Sequence, residues 1–261
     1  MRQARYRRQD ERQGMNGIET ILLVAVGFAL GGILKGATGA GAPLVAVPVM
    51  AVLYGVPFAV TVSVMPNLIP NFWQAWKFRS HLLPRVLTLR FALAGALGAA
   101  IGTFILAFVP QDILALMVAG IVLFYILFRQ MMPHWSLEQE HAVRLAIPVG
   151  TLAGMLQGAS GISAPASITF LNAMKLERLQ FMATISVFFA ALGIVQIPLL
   201  IYWGFLTPER FLLSCAAMLP LMAAMPLGAY LVRYISKEAF DRMILVMLAG
   251  LAIKLAYGAV F

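Results

Sequence analysis

The chain has 261 residues, of which 62% are hydrophobic and only 11% are charged. Soluble domains carry about 25% charged residues, and a charge at the centre of a membrane helix costs about 2.5–3.5 kcal/mol. This composition therefore excludes a soluble globular protein. A net charge of +9 would suggest nucleic acid in a soluble protein. Here the cations stand in short clusters between apolar runs, which is typical of loops at lipid headgroups. We expect the lipid bilayer, and no nucleic acid, as a partner.

Ten apolar runs follow one another along the chain, and a polar stretch at 129–144 divides them into two sets of five. The first set lies at 18–34, 42–53, 56–76, 86–109 and 113–128. The second set lies at 145–156, 162–174, 179–203, 211–232 and 244–260. A helix needs about 20 apolar residues to span a bilayer. The first two runs of each set are too short or too glycine-rich for this, and we predict half-helices that meet at a break.

The two sets also match in sequence. Residues 32–43 align with residues 154–165, so that Gly32 matches Gly154 at an offset of 122. Self-similarity at a fixed spacing indicates a duplicated unit. We predict one all-α integral membrane domain of two homologous halves, each with a glycine-broken helix pair plus three spanning helices. Its parts are a basic N-terminal extension at 1–14, a first repeat at 15–128, a polar linker at 129–144 and a second repeat at 145–261.

The basic clusters between the runs favour an inverted repeat. If each half crosses the bilayer an odd number of times, the clusters at 77–90, 129–144, 175–178 and 233–242 all face the cytoplasm. This arrangement places the N-terminal arginines outside, which conflicts with their charge. A parallel repeat with an inside N-terminus is the alternative, but it moves the last two clusters outside. We favour the inverted repeat because Met15 is an alternative start that would make the basic extension dispensable.

The glycine-rich stretches predict the site. Gly36, Gly39 and Gly41 fall within six residues, and each glycine costs a helix about 1 kcal/mol relative to alanine. Irregular backbone at membrane depth survives only when protein or a watery cavity surrounds it. Pro43 and Pro165 suit the first turn of a following helix. The N–H groups and dipoles of those helix starts would favour an anion. Close helix packing is the alternative explanation for the glycines.

The stretch GATGAGAPLVAVP at 36–48 and its echo GASGISAP at 158–165 resemble the TauE/SafE family of membrane transporters. The resemblance covers nearly the whole chain from Met15 onward. It implies a transporter of sulfite, sulfonate or other organosulfur anions that is built from a duplicated module. The chain departs from the family's G-x-G-G-G pattern at Ala42 and Pro43, and the second stretch departs further, so the exact anion stays open.

Polar side chains near the breaks complete the predicted anion site. They comprise a lysine within the first broken segment, hydroxyl groups at both breaks, and two asparagines and a glutamine on one face of the third run. The alternatives are a lysine that snorkels to the surface, hydroxyls that bond their own backbone and amides that only join helices. The predicted substrate-binding residues are Lys35, Gly36, Thr38, Gly39, Gly41, Asn67, Asn71, Gln74, Gln157, Gly158, Ser160, Gly161 and Ser163.

We expect a secondary transporter in the cell membrane, with a small anion as its substrate. A negative cell interior expels a monoanion by about 2.3 kcal/mol per 100 mV, which favours an exporter. An intramembrane enzyme would need a catalytic carboxylate pair, a nucleophile with its base, or metal ligands. The acidic residues beyond the N-terminal arm lie nearly all at run ends, and the histidines lack metal-ligand spacing. We therefore expect no catalytic residue, cofactor or metal. The alternatives are a membrane assembly protein and a transporter of a carboxylate without sulfur, and homo-oligomers are possible.

Overall fold

The computed structural model describes residues 18–40, 42–131, 136–231, 234 and 237–260. Within these residues the chain is helical, with no strand. The N-terminal extension and Gly41 lie outside the described residues, so what we predict for them stays a prediction. The helices are α1 Ile18–Thr38, α2 Ala42–Tyr54, α3 Val56–Val62, α4 Val64–Lys77, α5 Arg85–Phe108, α6 Gln111–Met131, α7 Gln139–Ser160, α8 Ala164–Ala173, α9 Arg178–Tyr202, α10 Pro208–Leu231 and α11 Lys237–Val260.

Six of the described helices are long and apolar enough to cross a membrane, namely α1, α5, α6, α7, α9 and α10. Their outer faces are apolar. On α5, for example, Leu93, Leu97 and Ile101 are 61%, 69% and 48% exposed. A contiguous apolar surface of this kind marks contact with lipid or with another protein rather than with water. The prediction of an all-α integral membrane protein is confirmed.

The first helix of each half is longer than its apolar run predicts. α1 has 21 residues and α7 has 22, so each is of spanning length and is not a half-helix. α7 begins within the predicted polar linker, and α6 continues to Met131. The charged residues of the linker do not prevent α7 from forming. Glu140 and Arg144 pair at i and i+4 on this helix, with 3.5 Å between Oε1 and Nη2. Only α2 and α8, with 13 and 10 residues, are short as predicted.

The third apolar run is predicted as one spanning helix that is kinked, with unpaired carbonyl groups, because of Pro66 and Pro70. The structure goes further and divides the run into α3 and α4 at Ser63. Pro66 lacks the N–H group that would donate to the carbonyl oxygen of Val62. That oxygen accepts instead from Ser214 Oγ of α10, at 2.8 Å. The N–H of Met65 donates to the same hydroxyl at 3.1 Å. A side chain of the second half thus satisfies backbone groups that the proline leaves free in the first half.

The two halves interlock by exchanging helices. α1 packs most extensively on α10 of the other half, and α7 packs most extensively on α5 of the other half. Because α1 and α7 occupy matching repeat positions, and α5 and α10 do also, the same contact occurs twice. Contacts of α4 with α9 and of α6 with α11 join further matching helices. Matching pairs of helices therefore contact each other in both directions, and a twofold relation between inverted halves stays a prediction.

Glycines permit the close approach in both exchanged pairs. A Cβ atom added at Gly36 would overlap a backbone carbonyl oxygen of α10, and one added at Gly158 would overlap a carbonyl oxygen of α5. Gly32 and Gly154, one turn earlier on the same two helices, meet the partner helix in the same way. Small residues let helix backbones pack closely in membranes, where van der Waals contact drives association. The glycines that precede each break therefore hold the halves together.

Candidate anion site

The two breaks have the same backbone geometry. Gly39 has a φ of 85° and Gly161 a φ of 75°, the left-handed region that favours glycine. Their N–H groups close the preceding helices by donating to the carbonyl oxygens of Lys35 and Gln157, at 2.7 and 2.8 Å. The next helix begins three residues after each glycine. The predicted pair of helix breaks is confirmed, and both occur at the same repeat position.

Both breaks contribute to the wall of one small cavity. Its accessible volume is about 10 Å³, which is near the lower limit for a single water molecule. The N–H groups of Ser163 and Ala164 are used by none of the hydrogen bonds among the described residues, as is usual for donors at a helix start. The starts of α2 and α8 thus meet at one space. The lining consists of Pro43, Leu44, Gln157, Ile162, Ser163, Ala164, Ile168 and Phe189.

Lys35 lies one turn before the first break, and only 2% of it is exposed. Its Nζ donates to Asn71 Oδ1 at 2.7 Å, and Asn71 Nδ2 donates to Asn67 Oδ1 at 3.0 Å. No carboxylate pairs with this ammonium within the described part of the chain. Such burial does not fit a lysine that snorkels to the surface. The structure places a cation among neutral amides, without a counter-ion from the described side chains.

Helix α9 joins this cluster to the cavity. Ser186 Oγ donates to Gln74 Oε1 at 3.2 Å, and Gln74 follows Asn71 by three residues on the same helix face. Phe189 follows Ser186 by three residues on α9 and lines the cavity. Residues three apart on a helix are neighbours, with about 5–6 Å between their Cβ atoms. Gln74, at one end of the amide cluster, is therefore connected to the cavity lining through one turn of α9.

The predicted hydroxyl donors already have acceptors within the protein. Ser160 Oγ donates to the carbonyl oxygen of Leu156 at 2.6 Å. Thr38 Oγ1 lies within donating distance of two carbonyl oxygens, that of Ala40 at 2.6 Å and that of Leu34 at 2.9 Å. Ser167 Oγ donates to the carbonyl oxygen of Ser163 at 3.0 Å, so Ser163 Oγ is the donor in the 3.1 Å contact between the two hydroxyls. A hydroxyl has one proton to give. These groups therefore fit the alternative of backbone-bonded hydroxyls better than that of anion donors.

The family of the chain follows from comparison with known proteins. The model of the family described as sulfite exporter TauE/SafE matches residues 23–255, which is most of the chain. The chain belongs to this family. No curated protein and no solved structure matches it. The resemblance found in the glycine-rich stretches is thus confirmed. TauE/SafE proteins are membrane transporters of the sulfite-exporter type and not enzymes, so this chain is a multi-pass transporter of the cell membrane.

In this TauE/SafE protein the predicted site residues divide into two groups. One group is brought together around the cluster and the cavity, and comprises Lys35, Asn67, Asn71, Gln74, Gln157 and Ser163. The other group shapes the backbone. Gly39 and Gly161 end the helices at positive φ, whereas Gly36 and Gly158 pack against the exchanged helices. Gln196 Nε2 also reaches the carbonyl oxygen of Gly158, at 3.5 Å.

Two contacts of the candidate site in this TauE/SafE protein are not predicted by the sequence. Ser186 occupies the repeat position of Ser63, so the duplication contained a signal for a buried hydroxyl there. Arg178, an exposed residue at the start of α9, donates from Nη2 to the carbonyl oxygen of Gly36 at 3.5 Å. The two residues are 142 positions apart, and no periodicity in the sequence connects them. Only the folded chain shows that a surface cation lies over the end of α1, next to the buried lysine.

Proposed function

We propose that this protein exports a small sulfur oxyanion, such as sulfite or an organosulfonate, and binds it at the helix breaks near the bilayer midplane. The observation that carries the proposal is the buried ammonium of Lys35. It has no carboxylate partner within the described residues, and its amide cluster is connected through α9 to a cavity at which two helices start. A cation and two helix N-termini all favour negative charge.

Electrostatics explain why an anion would occupy this site. Burying a charge without a counter-ion is strongly unfavourable, because neutral amides replace only part of its hydration. Asn71 supplies one acceptor at 2.7 Å, whereas an ammonium has three N–H groups to satisfy. A bound oxyanion supplies both further acceptors and the missing negative charge. Lys35 would then bind the substrate by charge, and the first-turn N–H groups would orient its oxygens.

The cavity is too small for the proposed substrate. At about 10 Å³ it has room for about one water molecule, not for a tetrahedral or pyramidal oxyanion. The structure therefore supports a closed conformation, and transport requires the walls to separate. The closely packed α1–α10 and α5–α7 pairs can move as units, because their glycine contacts join backbone to backbone. Movement of these pairs relative to each other would open the space between α2, α8 and α9, as in alternating access.

Export matches the energetics of such a site. The membrane potential drives a monoanion out of a cell by about 2.3 kcal/mol per 100 mV, so no coupling ion is needed. Uptake would require one, and carboxylates commonly serve as proton or sodium relays in membranes. The buried polar side chains of the described residues include no aspartate or glutamate. This composition supports a uniporter that lets the anion leave.

The experiment is anion flux from proteoliposomes that contain the full-length protein, with sulfite, methanesulfonate, acetate and phosphate as substrates. We expect flux of the two sulfur anions and a loss of affinity of about tenfold or more in Lys35→Met, which removes a charge-assisted bond. Lys77→Met is the matched control, since Lys77 is exposed at the end of α4. Unchanged kinetics in folded Lys35→Met would contradict the proposed site. Preferential acetate flux would instead support a carboxylate transporter.

A further inference from the structure

Gln157 differs from the other buried polar residues. Only 3% of it is exposed, and its Oε1 is the one buried side-chain nitrogen or oxygen, within the described residues, that lacks a hydrogen-bond partner. Nearly all buried polar atoms in proteins are hydrogen-bonded, and an orphaned acceptor is unfavourable. An orphaned acceptor in a cavity wall is typical of a site whose missing donor belongs to a ligand.

The cavity combines this acceptor with donors. Gln157 lines it together with Ser163 and Ala164, whose N–H groups begin α8, and with the start of α2. The ammonium of Lys35 lies in the adjoining cluster. The donors suit the oxygens of an anion, but the free lone pairs of Gln157 Oε1 would repel an unprotonated oxygen. An anion that itself carries one hydrogen-bond donor satisfies all of these groups together.

We propose that the site takes its substrate as a singly protonated oxyanion, hydrogen sulfite, and not as the sulfite dianion. The O–H group of the substrate donates to Gln157 Oε1, and its other oxygens accept from the first-turn N–H groups and from Lys35. This inference rests on the proposed function. No covalent bond forms or breaks, because the proton crosses the membrane with the anion that carries it.

The charge of the site supports the same protonation state. Lys35 contributes one positive charge, and the cluster and the cavity lining contain no other charged side chain among the described residues. Arg178 lies over the end of α1 but is exposed, so solvent and salt screen its charge. A bound monoanion brings the sum to zero. A dianion would leave one negative charge without compensation in a site shielded from water, which is unfavourable.

Among the described residues, no ionisable side chain lines the cavity, so titration of the protein can be separated from titration of the substrate. Lys35, in the adjoining cluster, is the ionisable group to control for. Tyr125 of α6 is buried, and the other described ionisable side chains of α7 and of the helices packed on it are exposed. These exposed groups are Glu140, His141, Arg144, Arg85, Arg90, Asp112, Arg178 and Tyr202.

The test measures sulfite flux in proteoliposomes with equal pH on both sides, across the neutral range in which hydrogen sulfite and sulfite interconvert. Methanesulfonate serves as competitor, because it is a monoanion with a similar headgroup but without an O–H group and does not titrate in this range. Its inhibition constant reports any change in the protein, including Lys35. We expect the KM for total sulfite, divided by that inhibition constant, to rise with pH in proportion to the loss of hydrogen sulfite. A ratio that stays constant with pH would overturn the inference.

Two variants complete the experiment. Gln157→Met keeps the side-chain length and removes the acceptor, so we expect the same ratio to rise about tenfold at fixed pH. If Gln157→Met loses affinity equally for sulfite and for methanesulfonate, the amide of Gln157 acts as a donor to the anion, and this result would also overturn the inference. Lys35→Met should weaken both anions alike. If it behaves as wild type, the proposed function itself fails, whatever Gln157→Met shows. If Gln157→Met does not fold, the wild-type pH series alone decides.

Discussion

The first and the second helix break share a backbone but not their side chains. Gly39 and Gly161 have nearly equal positive φ values, and each closes its helix with the same hydrogen bond. One turn earlier, however, the first half carries Lys35 and the second carries Gln157. The lysine is held by Asn71, whereas the glutamine oxygen has no partner in the described residues. The duplicated backbone therefore shapes the site twice, and the side chains give its two halves different chemistry.

The surroundings of the two glycines also differ. A side chain added at Gly39 would meet Met182, a flexible residue, whereas one added at Gly161 would meet the stiff β-branched side chains of Val47 and Val60. Methionine can move aside because it has three rotatable bonds. The nearest contact of the added Cβ atom is shorter at Gly39, at 2.7 Å to Met182 Cγ against 3.0 Å to Val47 Cγ2 at Gly161, but the neighbours of Gly161 are less able to move aside.

The largest effect is expected for valine at either break. Gly39→Val and Gly161→Val force a β-branched residue to positive φ, which costs about 1–3 kcal/mol before any crowding. We expect transport below about a tenth of the wild-type rate in both variants, and less folded protein for Gly161→Val. The measurement is the initial transport rate per membrane-inserted protein. Gly120→Val is the control, because nothing lies within 4 Å of a side chain added there. Wild-type kinetics in either folded break variant would show that the break geometry is dispensable.

Exchanging Lys35 and Gln157 tests whether the chemical difference between these two residues matters for anion binding. We expect Lys35→Gln to lower anion affinity about tenfold or more, because it replaces a charge with a neutral amide. Adding Gln157→Lys should not restore it. At the offset of 123 residues that aligns Ser63 with Ser186, the position that matches Asn71 is Ile194, so no amide stands there to hold a second lysine. Affinity is read from flux against substrate concentration. Full recovery in the double variant would show that the halves are equivalent at the site.

Much of the fold could be predicted from the sequence, because lipid restricts the choices. Long apolar runs gave the spanning helices, and glycines followed by proline gave both breaks at the correct repeat position. The lengths of the apolar runs predicted α1 and α7 to be too short to span the membrane. Both helices are longer, because a helix continues through glycine when a partner helix packs on it. The division at Ser63 was missed because the hydroxyl that satisfies it belongs to α10.

The candidate site was less predictable than the fold. The amides of α4 and Lys35 were found because polar residues at membrane depth stand out. The hydroxyls of Thr38 and Ser160 were predicted as donors to the anion, because a sequence does not show whether a hydroxyl proton is already donated to a backbone oxygen. Gly36 and Gly158 pack against other helices, and only the exchange of helices between the halves reveals this. Contacts between distant segments decide which polar groups are left for a ligand.

A moderate effect on stability is expected at the glycine contacts between the halves. In Gly36→Ala and Gly158→Ala the new methyl group would overlap a backbone carbonyl oxygen of α10 or of α5. Backbone cannot move aside as a side chain does, so we expect each change to lower the free energy of unfolding by about 1–3 kcal/mol. Thermal unfolding in detergent measures it, with Gly120→Ala and Gly250→Ala as controls in open positions. If Gly36→Ala keeps normal stability but changes the anion affinity, Gly36 is part of the binding site.

The smallest effect is expected for the hydroxyl pair. Thr38→Val and Ser160→Ala each remove one hydroxyl whose proton is donated to a backbone carbonyl oxygen. Because that proton is not available to the anion, we expect the KM to change by less than about threefold. Each change also leaves a backbone N–H without its acceptor, that of Ala40 at 3.4 Å or that of Ile162 at 3.3 Å, which should lower stability by about 1 kcal/mol. Flux kinetics and thermal unfolding of the two variants separate binding from folding. A tenfold rise in KM with unchanged stability would mean that the hydroxyl proton turns from the backbone to the anion during transport. Both breaks would then change in the same way when the protein leaves the closed conformation, and the two hydroxyls would belong to the binding site together with Lys35 and Gln157.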